Sequence, residues 1–432
     1  MKSYKNFETL QVHAGRAADP VQGTVTTPIH QTNSFVFNST SHAAKLFALE
    51  EFGNIYTRLG NPTTDVFEKR VAALEGGTAS LATSSGQAAQ FIAIQNLASA
   101  GDNIVSSGSL YGGSYNQFKV SFARLGIEFR FTNDGSPESF EKLIDSKTKG
   151  IYFETIGNSD FYVPDFEKFV ELSSKYKIPL IVDNTFGAGG YLFRPIEWGA
   201  NVVVESASKW IGGHGNSIAG VITDGGNFNW SNGNFPQFTN PSESYHGLRF
   251  WDSFGDGSAT GNIAFALRAR AEGLREWGCT LSPFNAFLLL QGIETLSLRV
   301  DRICSNALEL AEWLSRHPRV GCVKYPGLKE NPNYKNATRY FKRGFGGVLS
   351  FDLKGSREDV SKFVENLELI SHLVNVGDNK TLISNSATTT HAQLSDNELS
   401  ALGIKPTTLR ISAGIEHIED IKADLEAAFK LL

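Results

Sequence analysis

Cysteine is scarce in this chain of 432 residues. Cys279, Cys304 and Cys322 are an odd number without paired metal-ligand spacing, which excludes a disulfide framework or a cysteine zinc site as the organising feature. Long apolar runs are lacking too: none approaches the roughly 20 residues of a membrane span. Charge of one sign does not dominate. With 40 Lys and Arg against 45 Asp and Glu, the net charge of −5 leaves no footprint for nucleic acid and no polybasic arm for a membrane. Repeats and low-complexity tracts are also missing. The opening MKSYKNFETLQVHAG lacks the apolar core of a secretion signal, so a cytoplasmic location is expected.

What is present is ordinary globular composition, with 41% hydrophobic and 20% charged residues, in a length that suits two or three domains. Between about 66 and 225, short β-type runs alternate with helical stretches. Strands are expected at Ile104–Ser107, Ile127–Phe131, Gly150–Glu154, Ile178–Asp183 and Val202–Glu205. Helices are expected at Tyr115–Leu125, from Ser136-Pro137-Glu138, and at Asp165–Tyr176. That rhythm predicts an α/β fold with a mostly parallel sheet covered on both faces. Residues 1–65 read as an extended arm with one helix, 66–280 as the ligand-binding α/β domain, and 281–432 as a smaller α+β domain entered through a long helical stretch from Ser282-Pro283 to about Arg316. Residues 226–257 form a long insertion rich in Gly, Asn and aromatics, and its Phe and Trp residues favour packing over disorder.

In open α/β sheets, ligands bind beyond the carboxyl ends of the strands. Tyr111, Asn158, Asp183, Ser206, Ser208 and Lys209 all fall there. Singly, each has an ordinary role as turn, cap or solvated residue; their shared location gives them weight. Lys209 lies between a buried run and Trp210-Ile211, where desolvation lowers an amine's pKa and makes it a nucleophile able to form a Schiff base. Asp183, at the end of IPLIVD, can hold a pyridine nitrogen protonated. A lysine with such a carboxylate is the pairing that pyridoxal phosphate requires. In TSSGQAA, Gly86 opens an alanine-rich helix running to about Gly101, and its amides can bind a phosphate. The helix dipole gives about 0.3–2 kcal/mol. Micromolar retention needs about 8 kcal/mol, so hydrogen bonds from the Gly86 and Gln87 amides and the Ser206 and Ser208 hydroxyls must supply most of it. On sequence alone, Arg410 reads as a surface strand residue.

These residues resemble the cystathionine γ-synthase-like family of pyridoxal-phosphate enzymes. The matching stretches span nearly the whole chain: TPIHQTNSF, YTRLGNPTTDVFEKRVAALEGG, SSGQAAQ, LYGGSYNQF, ETIGN, VDNTFGAGGY, SASKWIGGHG, SPFNAFLLLQGIETLSLR and LRISAGIE. The resemblance implies the type I fold of such transferases and pyridoxal 5'-phosphate as cofactor. It implies that Lys209 is the Schiff-base lysine, Asp183 the partner of the ring nitrogen, Tyr111 the stacked aromatic and Asn158 a neighbour of the phenolic oxygen, with Lys209, Asp183 and Tyr111 as the catalytic residues and Tyr111 assisting a proton transfer as well as stacking. Gly86, Gln87, Ser206 and Ser208 match the phosphate cup. Tyr56 and Arg58 match ligands that the family supplies from a neighbouring subunit, which implies a dimer at least and usually a homotetramer. Arg410 resembles the clamp for the substrate carboxylate, with Asn375 and Tyr56 close to it.

Gln87 after the cup glycine, the 226–257 insertion and Asn375 in LVNVGDNKTL make the O-acetylhomoserine sulfhydrylases the nearest resemblance within the family. The implied reaction joins an activated homoserine ester to sulfide, brought free or by a carrier protein docking on the insertion. A cystathionine γ-synthase or a γ-lyase is the neighbouring alternative, and a non-catalytic nucleotide-binding or structural oligomer the distant one. The chain departs from the family pattern at Ser208 (usually Thr), Asn201 (often Asp), Ser159 (usually Pro) and Asn385-Ser386 (frequently His-Pro).

Overall fold

A computed structural model describes residues 4–19, 21–132, 134–385, 387–389 and 405–432. Its larger sheet has seven strands: β1 Ala79–Thr83, β2 Asn103–Ser107, β3 Glu128–Thr132, β4 Thr148–Glu154, β5 Leu180–Asp183, β6 Val202–Glu205 and β7 Gly220–Asp224. They lie in the order β1-β7-β6-β5-β4-β2-β3. β7 runs antiparallel to β1 and β6, and the other pairs are parallel. Both faces are covered, so successive side chains enter opposite cores. Tyr152, Ile181 and Val204 pack with Ile92 and Phe118 on one side, while Phe153 and Val182 meet Phe166 and Phe169 on the other. This is why these strands read as unbroken apolar runs.

The smaller sheet comprises β8 Val320–Lys324, β9 Val348–Leu353, β10 Ser371–His372, β11 Leu382–Asn385 and β12 Thr408–Ser412, in the order β10-β11-β12-β9-β8. Its apolar face, with Leu349, Phe351, Leu409 and Ile411, packs on Leu310 and Leu314 of one helix and on Leu425 and Phe429 of the C-terminal helix.

Several expectations are corrected in detail. Two helices, not one, precede residue 62: α1 Phe7–His13, whose Phe7 is part of the core, and α2 Thr40–Phe47. α3 Pro62–Glu75 follows, with Asn61 capping it. α4 Gly86–Gln95 stops at Asn96, well short of Gly101. There the Asn96 side chain bonds Phe265 O, while its Oδ1 and carbonyl both accept from Arg268. The helix predicted from Tyr115 begins earlier, as α5 Gly112–Asn116, and continues as a π-turn over Gln117–Phe122. The stretch from Pro283 to Ser315 is two helices, Pro283–Ile293 and Leu296–Ser315. They separate at Thr295, and the Gly292 carbonyl accepts from Arg299 Nη2 at 2.8 Å. The 226–257 insertion is packed: Trp230, Phe235, Phe238, Phe250 and Phe254 are buried, and Trp230 stacks on Phe238 and Phe265 with centroids 4.8 and 5.2 Å apart. Among the described residues, no helix is long and apolar enough to cross a membrane.

Candidate active site

The carboxyl ends of β2, β4, β5 and β6 open into a cavity of about 380 Å³ whose remaining wall comes from the Val374–Val376 segment and from β12. Gly86, Gln87, Tyr111, Asn158, Asp183, Ser206, Ser208, Lys209, Asn375 and Arg410, each singled out from the sequence, all line it.

Lys209 follows β6 and is largely buried. Its Nζ donates to Asn375 Oδ1 at 2.5 Å. Burial, with a smaller contribution from the Arg410 charge, lowers the amine to about 8. Asp183 ends β5, where its Oδ1 accepts from the Thr185 backbone N–H at 3.0 Å and from the Thr185 hydroxyl at 2.6 Å. Tyr152 donates to the other oxygen at 3.3 Å. Burial raises this carboxyl while those donors pull it back.

Arg410 is not at the surface. It lies on the central strand β12 at 5% exposure, and its Nη1 donates to Asn158 Oδ1 at 2.9 Å. Burial lowers the guanidinium to about 10, so it is still a cation at neutral pH. A bare arginine in a strand reads as exposed; the partner that makes burial tolerable is 252 residues away in sequence.

The anion cup forms at α4. Ser85 caps the helix by accepting from Ala88 N–H at 3.1 Å. The preceding amides, those of Gly86 and Gln87, have no intrahelical partner because they begin the helix. A Cβ on Gly86 would come within 2.8 Å of Ser206 Cβ, so only glycine lets helix and serine close around a small anion. Ser208 is nearby, but its hydroxyl accepts from Ala219 N–H at 2.9 Å and donates to Ala219 O at 3.1 Å. Its proton is therefore committed to the backbone. Gln87 Nε2 donates to Gly113 O at 3.0 Å, tying the cup to the turn that carries Tyr111. That turn also needs glycine, since a Cβ on Gly113 would meet the Tyr111 ring at 2.5 Å. Tyr111 is 42% exposed, which leaves its ring surface on which to stack.

Tyr56 and Arg58 do not enter this cavity. They line a separate open concavity with Gln31, Asn33 and Pro283, where Arg58 donates to the Arg275 carbonyl and lies 5.5 Å from the Tyr56 ring centroid. Of the family departures, Asn201 joins β5 to the insertion by accepting from Leu180 N–H and donating to Asn227. Asn385 spends its side chain on Pro406 O and Thr388, and Ser386 lies outside the described residues.

Sequence reasoning missed three acids. Glu154 ends β4, lines the cavity and accepts from Tyr111 N–H at 2.6 Å and Asn158 N–H at 2.8 Å. Burial and the Asp183 charge push its carboxyl well up, against the pull of those two donors. It ends a buried strand as Asp183 does, and that signal was available in GIYFE. Glu75 and Glu205 form a fully buried pair behind Ser206. Glu205 Oε2 accepts from Gly189 N–H at 3.0 Å, and Glu75 Oε1 accepts from Asn184 Nδ2 at 2.8 Å. The remaining oxygens have no other partner and share a proton between them, since burial raises both carboxyls, Glu75 to about 7 and Glu205 well up.

The cavity suits a planar, phosphorylated aldehyde. It has a nucleophilic amine, a buried carboxyl to meet a ring nitrogen, an uncovered aromatic face, and a cup that a single methyl would fill. Residues 8–430 match the model of the Cys/Met metabolism PLP-dependent enzymes. The O-acetyl-L-homoserine sulfhydrylase 1 of Thermus thermophilus is 52% identical over 98% of this chain and 99% of its own length. The homocysteine/cysteine synthase of Kluyveromyces lactis is 53% identical over 98% and 97%. A Campylobacter jejuni crystal structure described as an O-acetylhomoserine (thiol)-lyase contains pyridoxyl-lysine monophosphate. It superposes with a TM-score of 0.93 at 37% identity, over 99% of this chain and 100% of its own. Sequence, fold and cavity agree, and the chain belongs to the Cys/Met metabolism PLP-dependent enzyme family, with pyridoxal phosphate as its cofactor.

Proposed function

We propose that the protein catalyses γ-replacement of O-acetyl-L-homoserine by sulfide, giving L-homocysteine and acetate on the route to methionine. The observation that carries the reading is the convergence of a desolvated lysine amine, a buried carboxyl and a buried guanidinium on one cavity. The choice of ester and nucleophile follows the activities for which the Thermus and Kluyveromyces relatives are named.

The cofactor supplies an electron sink for the carbanions that the reaction needs. The chain supplies the rest. The Gly86 and Gln87 amides and the Ser206 hydroxyl hold the phosphate, Tyr111 covers the ring, and Asn158 stands beside the phenolic oxygen. Asp183 keeps a proton on the ring nitrogen, an ion pair strengthened by its burial. Arg410 takes the substrate carboxylate as a bidentate fork, with Asn158 fixing the fork's plane. Lys209 forms the covalent link to the cofactor. Once displaced by the substrate amine, it removes the α-proton and then a β-proton, with Asn375 Oδ1 steering its Nζ. The γ carbon–oxygen bond breaks and acetate leaves. Sulfide then forms the carbon–sulfur bond at the same carbon, and the protons return in reverse order.

In this reading the 1–65 arm contacts a neighbouring subunit, 66–280 holds the cofactor and 281–432 completes the substrate pocket. Tyr56 and Arg58 of a second copy reach the phosphate, within a cytoplasmic homotetramer of active-site-sharing dimers. Exposed Val36, Phe47 and Phe52 on the arm support the contact, since apolar surface of this extent calls for a cover. Sulfide arrives free, a carrier protein being the alternative source; the buried aromatics of the 226–257 segment leave a carrier little apolar surface to grip. The test supplies O-acetyl- or O-succinyl-homoserine with sulfide or cysteine and quantifies products chromatographically. Homocysteine and acetate in equal amounts from the acetyl ester are expected. Cystathionine formed faster than homocysteine would overturn the reading.

A further inference from the structure

We propose that Glu154 is a positioning residue for this reaction, whose carboxyl group sets the Tyr111 ring and, through Asn158, the Arg410 guanidinium. The proposal deepens the reading above and rests on it for the reaction concerned.

The two loops that carry Tyr111 and Asn158 follow different strands, β2 and β4, and Glu154 is the side chain that joins them. One oxygen accepts the Tyr111 N–H at 2.6 Å and the other the Asn158 N–H at 2.8 Å. Tyr111 is the residue immediately before α5, and no side-chain hydrogen bond of its own caps that helix. Its amide belongs to the polar end of a helix, where an acidic acceptor is favourable. The bond therefore fixes where the ring leaves the backbone. Asn158 has its backbone on Glu154 and its side chain on Arg410 Nη1 at 2.9 Å, which makes a continuous line from Glu154 to the guanidinium.

The line runs between halves of the molecule. Glu154 and Asn158 belong to the larger sheet and its loops, Arg410 to the central strand of the smaller one. Asn158 thus sets the rotation of the arginine fork relative to the stacked ring. A bidentate carboxylate grip is sensitive to that rotation. Glu154 itself is buried at 7% exposure, and its oxygens are engaged by those two N–H groups.

The chemistry of the acceptor makes the idea testable. Glu154→Gln keeps the shape but turns one acceptor into a donor that faces a backbone N–H. Glu154→Asp keeps the carboxyl group but withdraws it by about 1.5 Å, one carbon–carbon bond, so both N–H groups cannot be reached together. Each variant holoenzyme is assayed by thermal melt, by the visible absorption of bound cofactor, by spectral titration with glycine, and by kcat and KM with O-acetyl-L-homoserine and sulfide. Glycine has the amine and carboxylate but no γ-carbon, so it reads the clamp without the replacement chemistry.

The expected result for Glu154→Gln is retained cofactor, with glycine affinity weakened at least tenfold and KM raised by a similar factor. Asn158→Ala should weaken glycine to a comparable degree, and the double variant should be little worse than either single, because the two act in series. A folded Glu154→Gln enzyme within twofold of the parent in glycine affinity and KM would overturn the proposal. So would a double variant in which the two losses multiply. If neither Glu154 variant folds, Asn158→Ala decides: glycine affinity unchanged there breaks the line to Arg410 and overturns the proposal. A parent enzyme inactive on the ester refutes the assigned reaction, while the glycine titration still judges Glu154.

Discussion

Neutralising Glu75 should make the protein more stable in mild alkali. Its carboxyl is fully buried against the carboxyl of Glu205, and its ionisation is raised from an ordinary 4.5 to about 7. A carboxyl raised on folding contributes stability that is present in full below its unfolded value and is lost as pH climbs through its folded one. The window therefore lies between about pH 4.5 and pH 7, and the loss is complete by pH 8.5. The shift of about 2.5 pH units corresponds to roughly 3 kcal/mol at 1.36 kcal/mol per unit. Glu75→Gln removes that ionisation. Its one amide oxygen can take either the Glu205 proton or the Asn184 N–H, now at 2.8 Å, and the lost partner subtracts about 1 kcal/mol from the gain. At about 2.1 cal/mol/K of unfolding entropy per residue, 432 residues unfolding together give about 0.9 kcal/mol/K, so 3 kcal/mol is worth about 3–4 °C. Melts of parent and Glu75→Gln holoenzymes, at matched protein concentration, should nearly coincide at pH 5 and separate by up to that amount at pH 8.5. A variant that melts lower than the parent at pH 8.5 refutes the shared-proton account of the pair.

The remaining expectations concern the cavity. Lys209→Ala should lose turnover and the visible band of lysine-bound cofactor together, read by absorbance after incubation with pyridoxal phosphate. Gly86→Ala drives a methyl to 2.8 Å from Ser206 Cβ and should weaken cofactor retention by at least about tenfold, equivalent to about 1.4 kcal/mol, measured by dialysis. Arg410→Ala should leave cofactor bound and raise KM roughly a hundredfold, the scale of losing one partner of a buried charged pair; loss of cofactor instead contradicts its role. Because the Lys209 amine lies near 8, capture of pyridoxal phosphate by cofactor-free protein should slow about tenfold per pH unit below that value and level off above it, followed by stopped-flow absorbance.

Much of the large sheet was legible because burial on both faces writes itself as apolar runs, as in β5 and β6. β1 and β7 were not recognised. ASLAT carries too little side-chain volume to stand out, and in GVITD only Val221, Ile222 and Thr223 mark the strand between Gly220 and Asp224. The break at Thr295 is hidden for a different reason, since apolar spacing continues across it and what marks the break is Arg299, in the second helix, turned back onto the Gly292 carbonyl of the first. In the site, residues at strand ends were readable by position, and Tyr111, Asn158, Asp183 and Lys209 do share one cavity. Arg410 read wrongly as exposed because its partner lies far off in sequence. Glu154 ends its strand as Asp183 does and was readable to that extent; what no motif records is that its carboxyl serves the Tyr111 and Asn158 N–H groups. The commitment of the Ser208 hydroxyl to Ala219 is likewise a fact of folding, invisible in SASK.

The cavity is assembled from two separately built parts. The anion cup, Asp183 and Lys209 hang from the larger sheet, whereas Asn375 and Arg410 come from the chain that builds the smaller one. Within the cavity, two side-chain hydrogen bonds stitch the parts, Lys209 to Asn375 and Arg410 to Asn158. On the proposed function, the grip on the prosthetic group is thereby separable from the choice of amino acid. Grafting the C-terminal third from a relative with a different substrate should move selectivity while leaving the coloured group in place. The two stitches are the positions where such a chimera must be matched, because a mismatch there leaves a buried lysine or arginine without its acceptor.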